Sequence, residues 1–257
     1  MRKSAILLLL LTALIFPSQA LKAQPTTGPN SRMSVQSDFV SKYYWRGMEK
    51  GGFSIQPSAT FNYHGLYARL FASTGLDKDD ADEINISLGY KAPFGLKIGV
   101  NDYWTSDVEE NNRYFFYEDK KTAHQFEGNI GFESKYFSLN AYTMFWGNDY
   151  KIDGDRAYST YIELKVPFRL WNVNWDAVAG FTPMESAGWD EVDPYAYFEI
   201  HHKTYYYADT FSCVLAGLRA TKNMRYKNMN IPIFVEFDTN PYLRTAAVVA
   251  GVSLKPF

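Results

Sequence analysis

The chain has 257 residues, enough for one large all-β domain or two small ones. Its formal net charge of −2 and pI near 6.1 supply no basic face for nucleic acid, and Cys213, the lone cysteine, excludes an intrachain disulfide, a thiolate metal cluster and a CxxC redox pair. Aromatic residues make up 18% while the mean hydropathy is −0.31, a pairing that alternating apolar and polar strand faces produce in a membrane barrel or in an aromatic-rich secreted β-sandwich.

Residues 1–23, MRKSAILLLLLTALIFPSQALKA, open with Arg2 and Lys3 and continue with an apolar run over Ala5–Phe16. Small residues then offer cleavage after Ala20 or Ala23, so this segment reads as a secretory signal peptide. The apolar run is shorter than the roughly 20 residues a helical span needs. No cysteine follows it to carry a lipid anchor. Residues 24–33 are polar and turn-rich and read as a flexible lead-in. No later apolar run is comparable, so membrane residence further on has to be by strands.

From about residue 34 the apolar residues alternate with polar ones. Phe53, Ile55, Pro57, Ala59, Phe61 and Tyr63 share one face, and Ser54, Gln56, Ser58, Thr60 and Asn62 the other. Pro57 counts against this strand, because it removes a ladder donor. The same period recurs around Ile84–Tyr90, Phe94–Val100, Phe126–Phe132, Tyr158–Val166, Val173–Phe181, Ile231–Phe237 and Val248–Leu254. A soluble sandwich does not need so many apolar stripes of about ten residues, so the pattern predicts an all-β fold, a single closed antiparallel transmembrane barrel over 34–257.

Acidic, polar connections lie at 76–83, 105–121, 147–156 and 183–193. Tight ones alternate with them at His64–Gly65, Ala92–Gly95, Ser134–Lys135 and Pro167–Asn172. Long outer loops and short periplasmic turns make that asymmetry in an outer-membrane barrel, which puts both termini in the periplasm. The pattern yields strands at 34–46, 53–63, 66–74, 83–91, 95–104, 124–133, 136–146, 157–167, 172–182, 194–203, 208–221, 229–237 and 244–254. Thirteen is an odd number for such a barrel. Alternation is poorest over 194–221, and merging the two strands there gives the preferred count of twelve. Fourteen would need another strand inside 105–121.

Alternation also assigns faces. Asp38, Lys42, Arg46, Gln56, Glu83, Lys97, Asn101, Glu127, Glu133, Glu163, Lys165, Asp176 and Glu236 are the predicted lumen residues, of both signs, and must be paired or wet. Tyr43, Trp45, Tyr63, Tyr90, Tyr103, Trp104, Trp146, Trp171 and Trp175 lie near strand ends and read as an aromatic girdle at the headgroup level, with sugar-stacking platforms as the competing assignment. His201 and His202 point to opposite faces of a strand and have no further ligand at fixed spacing. Neither GxSxG nor HExxH occurs, so no catalytic residue, metal site or cofactor is assigned. The acidic loop 77–83 lacks EF-hand spacing and reads as a solvated face.

The stretch SVQSDFVSKYYWRGMEKGGFSIQPSATFNYHG resembles the opening of the TorF-like porin family, through Asp38, Ser41, Tyr44, Arg46, Gly47, Gln56, Pro57 and Gly65, with Phe39 in place of a usual Tyr. Pro232, Asn240, Pro241 and Gly251 carry a second likeness near the end. One departure concerns Phe257: Val248, Ala250, Val252 and Leu254 have the other parity, and Pro256 intervenes. The resemblance implies a porin-like barrel of a Gram-negative outer membrane, with lipid and the barrel-assembly machinery as partners. The leading expectation is passive diffusion of small polar solutes. A non-transporting anchor that binds glycans or partners through its acidic loops is the alternative. A lipid-modifying barrel enzyme is a third reading and would need a His–Ser or His–Asp contact at the rim.

Overall fold

The computed structural model describes residues 31–77, 80–106, 113–192, 201–227 and 229–255. The expected signal peptide 1–23, most of the expected 24–33 lead-in, residues 107–112 and Phe257 lie outside the described residues. The chain is a single closed antiparallel barrel of twelve strands. These are β1 (Ser31–Val40), β4 (Ser54–Tyr63), β5 (Leu66–Gly75), β6 (Glu83–Lys91), β7 (Leu96–Thr105), β8 (His124–Glu133), β9 (Ser138–Gly147), β10 (Thr160–Leu170), β11 (Val173–Thr182), β14 (Ser212–Tyr226), β15 (Met229–Asn240) and β16 (Thr245–Leu254). β1 closes the ring by pairing with β16 as well as β4. Two small hairpins stand outside the ladder: β2 (Tyr43–Trp45) with β3 (Met48–Gly51), and β12 (Gly188–Val192) with β13 (His201–Tyr205).

The count of twelve agrees with expectation, but the route differs. The 208–221 stretch is a barrel strand in its own right, β14, whereas the described part of 194–203 belongs to β13, off the ring. It alternates poorly because it does not divide lipid from lumen. The predicted first strand over 34–46 also splits: β1 starts at Ser31, inside the expected lead-in, and stops at Val40. Residues 43–46 instead enter the β2–β3 hairpin.

Register shows which residues share a face. Asp38 pairs with Gln56 and Ser253, Asn101 with Glu127, Asp176 with Arg219, and Arg219 with Glu236. The opposite face carries Leu66, Leu70, Ile86, Leu88, Ile98, Val100, Ile130, Val166, Ile233, Val235 and Val248, all exposed. Water would not tolerate such a continuous apolar belt on an isolated domain, whereas lipid suits it. Most strands have about ten residues, the length a tilted span requires.

One end of the barrel has tight turns. His64–Gly65 has both φ values positive, 48° and 90°, as does Trp171–Asn172 at 50° and 58°, the pair of left-handed residues that a two-residue hairpin needs. The last turn is therefore shorter than the Pro167–Asn172 link expected; Pro167 to Leu170 extend β10. The other end carries the long connections, except for the short 241–244 link between β15 and β16. Pro57 is accommodated on one side only: the β1–β4 register runs through Ser37↔Pro57, while the β4–β5 register skips 56 and 57. The Gln56 side-chain amide, 3.4 Å from Ser73 Oγ, spans that gap.

Candidate functional site: the barrel interior

The β2–β3 hairpin folds into the barrel at its long-loop end instead of standing in solvent. Its tip is a two-residue turn, Arg46 (φ 50°) and Gly47 (φ 83°), between the paired Trp45 and Met48. A Cβ on Gly47 would come within 1.9 Å of the Val214 carbonyl oxygen on the far wall, so only glycine fits this contact. The Gly47 carbonyl accepts hydrogen bonds from Asn240 Nδ2 at 3.0 Å and Tyr44 Oη at 2.9 Å. Anchored on β1 and β4, the hairpin thus reaches β14 and β15.

Two bulges shape its landing places. In the β8–β9 pair the register shifts between Phe126 and Glu127, and in the β11–β14 pair between Gly180 and Phe181, leaving Phe145 and Val214 as the extra residues. Bulges re-aim neighbouring side chains. Here one lies beside Glu127 and the other brings Val214, fully buried, against the hairpin tip.

Arg46 is the centre of the contact. Its Nη1 donates to Glu127 Oε2 at 2.5 Å and to Tyr207 Oη at 2.9 Å, and its Nη2 donates to Glu127 Oε1 at 3.1 Å. Its guanidinium carbon lies 4.1 Å from the Tyr142 ring centre, 4.4 Å from Trp45 and 4.8 Å from Tyr161. Glu127, 1% exposed, also accepts hydrogen bonds from Asn101 Nδ2 at 2.8 Å and Tyr103 Oη at 2.9 Å. Both carboxylate oxygens are thereby hydrogen-bonded, which a buried ion pair requires if it is not to destabilise the fold. Burial is the largest single influence and works against the Arg46 charge, but Glu127, Tyr207 and Tyr103 together outweigh it and hold the guanidinium well above its ordinary pKa. Burial also pushes the Tyr206 and Tyr207 hydroxyls up, so both stay protonated. Tyr207, Ala208, Tyr161 and Val214 form a dry cluster beside this pair, with Met48, Tyr142, Tyr206 and Tyr242 packed against it.

The hairpin overturns three of the nine aromatic assignments. Tyr43 points inward and donates to Glu83 Oε1 at 2.9 Å; Trp45 lies under Arg46; Tyr103 is on the inner face beside Glu127. The first two left the wall when the chain turned in at Ser41. Tyr103 shares parity with Asn101, so the alternation itself carried that signal. Tyr63, Tyr90, Trp104, Trp146 and Trp175 have the outward parity, and Trp171 is in a turn and exposed. Trp104 is covered by Tyr114, whose ring centre is 5.6 Å away.

The strand residues assigned to the lumen by sequence fall on the inner face of the register. Asp38 accepts from Gln36 Nε2 at 2.7 Å. Gln56 is buried near Ser73. Glu83 meets Tyr43, Asn85 and, at 3.9 Å, Lys50. Glu133 pairs with Lys91 and, at 3.5 Å, with Lys97. Tyr161 Oη donates to Glu163 at 3.1 Å, and Arg219 lies 3.5 Å from Glu236. Lys165 is exposed, across the β10–β11 pair from Val178, and Asp176 faces Pro167. Lys42 belongs to the hairpin base and pairs with Glu49 at 2.7 Å. Sequence reasoning missed Arg69, Arg219, Tyr142, Tyr161 and Asp238, all of inward parity, because it weighed the apolar faces more closely than the polar ones.

A His–Asp contact does occur at the rim. His124 Nδ1 is 2.8 Å from Asp102 Oδ1, and its Nε2 meets the Tyr114 carbonyl oxygen. His124 is fully buried, and both ring nitrogens are occupied by acceptors. The contact ties the 113–123 connection to β7 and β8. Among the described residues, no three His, Cys, Asp or Glu side chains converge on a metal position.

No family model matches this chain, and no curated protein does. Among solved structures it is similar to the NanC porin in a rhombohedral crystal form, at 7% identity and a TM-score of 0.44, over 87% of this chain and 98% of that one. It is also similar to Salmonella typhi OmpF in complex with daunomycin, at 11% identity and a TM-score of 0.37, over 88% of this chain and 96% of the other.

Proposed function

We propose that this protein is a narrow diffusion channel for small polar solutes in a bacterial outer membrane, with its termini on the periplasmic side and its long acidic loops outside. The resemblance to the TorF-like porin family belongs to the same reading. The observation that carries it is the division of the barrel wall, apolar and exposed outside, polar and of mixed charge inside. The inward hairpin sets the constriction. Solute passing the long-loop half has to move around or displace Arg46, so that side chain and Glu127 set the width there.

Single-channel conductance of the refolded chain in a planar bilayer tests this. Small, discrete current steps are expected. A folded barrel that carries no current, in the native sequence or after deletion of the hairpin tip, would sink the channel. The second reading, a membrane anchor that recognises glycans or partners through its loops, is favoured by one observation, the dry packing around Arg46 and Tyr207. That reading expects no current in either form.

A further inference from the structure

At the short-turn end the interior is not dry. A cavity of about 310 Å³ opens between β1, β4, β5 and the end of β16, lined by Ser34, Gln36, Ser58, Thr60, Arg69 and Lys255. The register explains why these residues converge. Ser34 pairs with Thr60 and Thr60 with Arg69, giving one inner row across three strands; Gln36 and Ser58 form the row above it. Lys255 is fixed in place by its backbone, which exchanges two 3.1 Å hydrogen bonds with Asn230, while its side chain remains at the cavity.

The chemistry of this lining is one-sided. It holds two cations, three hydroxyls and one amide, and no carboxylate. Arg69 has no ion-pair partner among the described residues; its guanidinium rests 5.5 Å over the Phe71 ring. Lys255 likewise has none. The nearby carboxylate of Asp38 is engaged by Gln36, which gives its amide N–H groups to both carboxylate oxygens at 2.7 Å. That leaves the amide oxygen of Gln36, a lining residue, as its remaining side-chain acceptor. Several charged groups elsewhere on the wall are neutralised in pairs, Glu133 with Lys91 and Lys97, Glu236 with Arg219. Two cations that have no anion among the described residues, beside a cluster of hydroxyls, make a recognition site that lacks its counter-charge.

We propose that this cavity is a binding subsite for a small polyhydroxylated carboxylate, of the size of a monosaccharide acid. The planar fork of Arg69 takes the carboxylate in two hydrogen bonds, and Lys255 adds a point charge. Ser34, Ser58, Thr60 and the Gln36 carbonyl exchange hydrogen bonds with the solute hydroxyls. A volume of about 310 Å³ lies at the small end of ligand pockets, which excludes longer saccharides from being enclosed. The proposal rests on the channel reading only for the route by which solute arrives.

Saturation-transfer NMR on the full refolded chain in uncharged detergent tests it, with D-gluconate, D-sorbitol and acetate as probes. Gluconate and sorbitol differ only in the terminal carboxylate. Saturable gluconate binding is expected, with sorbitol and acetate each about tenfold weaker, the order of one charge-assisted contact. Arg69→Gln and Lys255→Gln each weaken gluconate binding by a similar factor, while Lys151→Gln on an outer loop leaves it unchanged. Sorbitol or acetate binding as tightly as gluconate overturns the proposal, as does wild-type affinity in R69Q. Gluconate binding in a protein that carries no current defeats the channel and leaves the subsite standing. Current without gluconate binding does the reverse.

Discussion

The two halves of the barrel interior use the same strands for opposite ends. Towards the long loops, Arg46, Glu127 and the surrounding tyrosines are packed and dry; towards the short turns, Arg69 and Lys255 stand in an open cavity without anions. A guanidinium is present in both. In the first it is enclosed by three aromatic rings and a carboxylate, and it locks the hairpin in place. In the second it rests over the Phe71 ring and has no carboxylate partner among the described residues. What differs is the partner supplied by the neighbouring strand, Glu127 in one case and hydroxyls in the other.

Removing that partner should make the halves alike. Glu127→Ala leaves the Arg46 charge buried and uncompensated, a loss of about 3–5 kcal/mol for the docked hairpin. Because the wall ladder does not depend on the hairpin, the barrel is expected to stay folded while the hairpin releases. Conductance should rise severalfold, with new proteolytic cleavage within 41–53. Unchanged current and protection would show that the pair does not hold the constriction. The double variant R46M/E127L, which replaces both partners with apolar groups, should restore protection.

Gly47→Ala probes the same contact through the backbone. The residue has a positive φ and meets the Val214 carbonyl, so a side chain there costs at least the left-handed penalty of about 1–2 kcal/mol. A smaller rise in conductance than in E127A is expected. A conductance equal to wild type would mean that the tip can shift without releasing.

The smallest effect concerns the outer connections. Asp119 accepts hydrogen bonds from Tyr150 Oη at 2.6 Å and Arg156 Nη2 at 2.8 and 2.9 Å, joining the 113–123 and 148–159 connections. Desolvation is the largest single influence and raises its pKa, but the hydrogen bonds from Tyr150 and Arg156 and the Arg156 charge together outweigh it and hold the acid below the ordinary carboxylate value. A depressed acid stabilises the folded form fully above its unfolded pKa, about 3.9, and loses that contribution as pH falls through the lowered value. Since Asp119 is partly exposed, the clasp contributes less than about 1 kcal/mol. Current noise should therefore increase only below about pH 4. D119N should be equally noisy at neutral pH; a quiet D119N channel at pH 7 would remove the clasp from the account.

Much of the wall was legible. The strands at 83–91 and 124–133 have the expected limits, and the inward parity of Asn101, Glu127 and Glu236 follows from alternation because lipid and lumen select opposite chemistry at successive residues. Residues 201–203 and 41–53 were harder, for a shared reason. Neither is part of the wall, so no two-sided environment imposes a period of two on it. Tyr43 and Trp45 look like interface aromatics by composition and end as packing around a buried cation.

The sequence by itself determined an alternating all-β chain, the inner face of the charged strand residues it singled out and most of the short turns, since these depend on local period and short-range turns. Tertiary structure alone decided that the Arg46–Gly47 turn crosses to Val214, that Glu127 receives Arg46 across 81 residues, and that Arg69 meets no anion among the described residues. Those outcomes depend on closure of the ring, which brings together side chains from strands far apart in sequence and sets which charges meet.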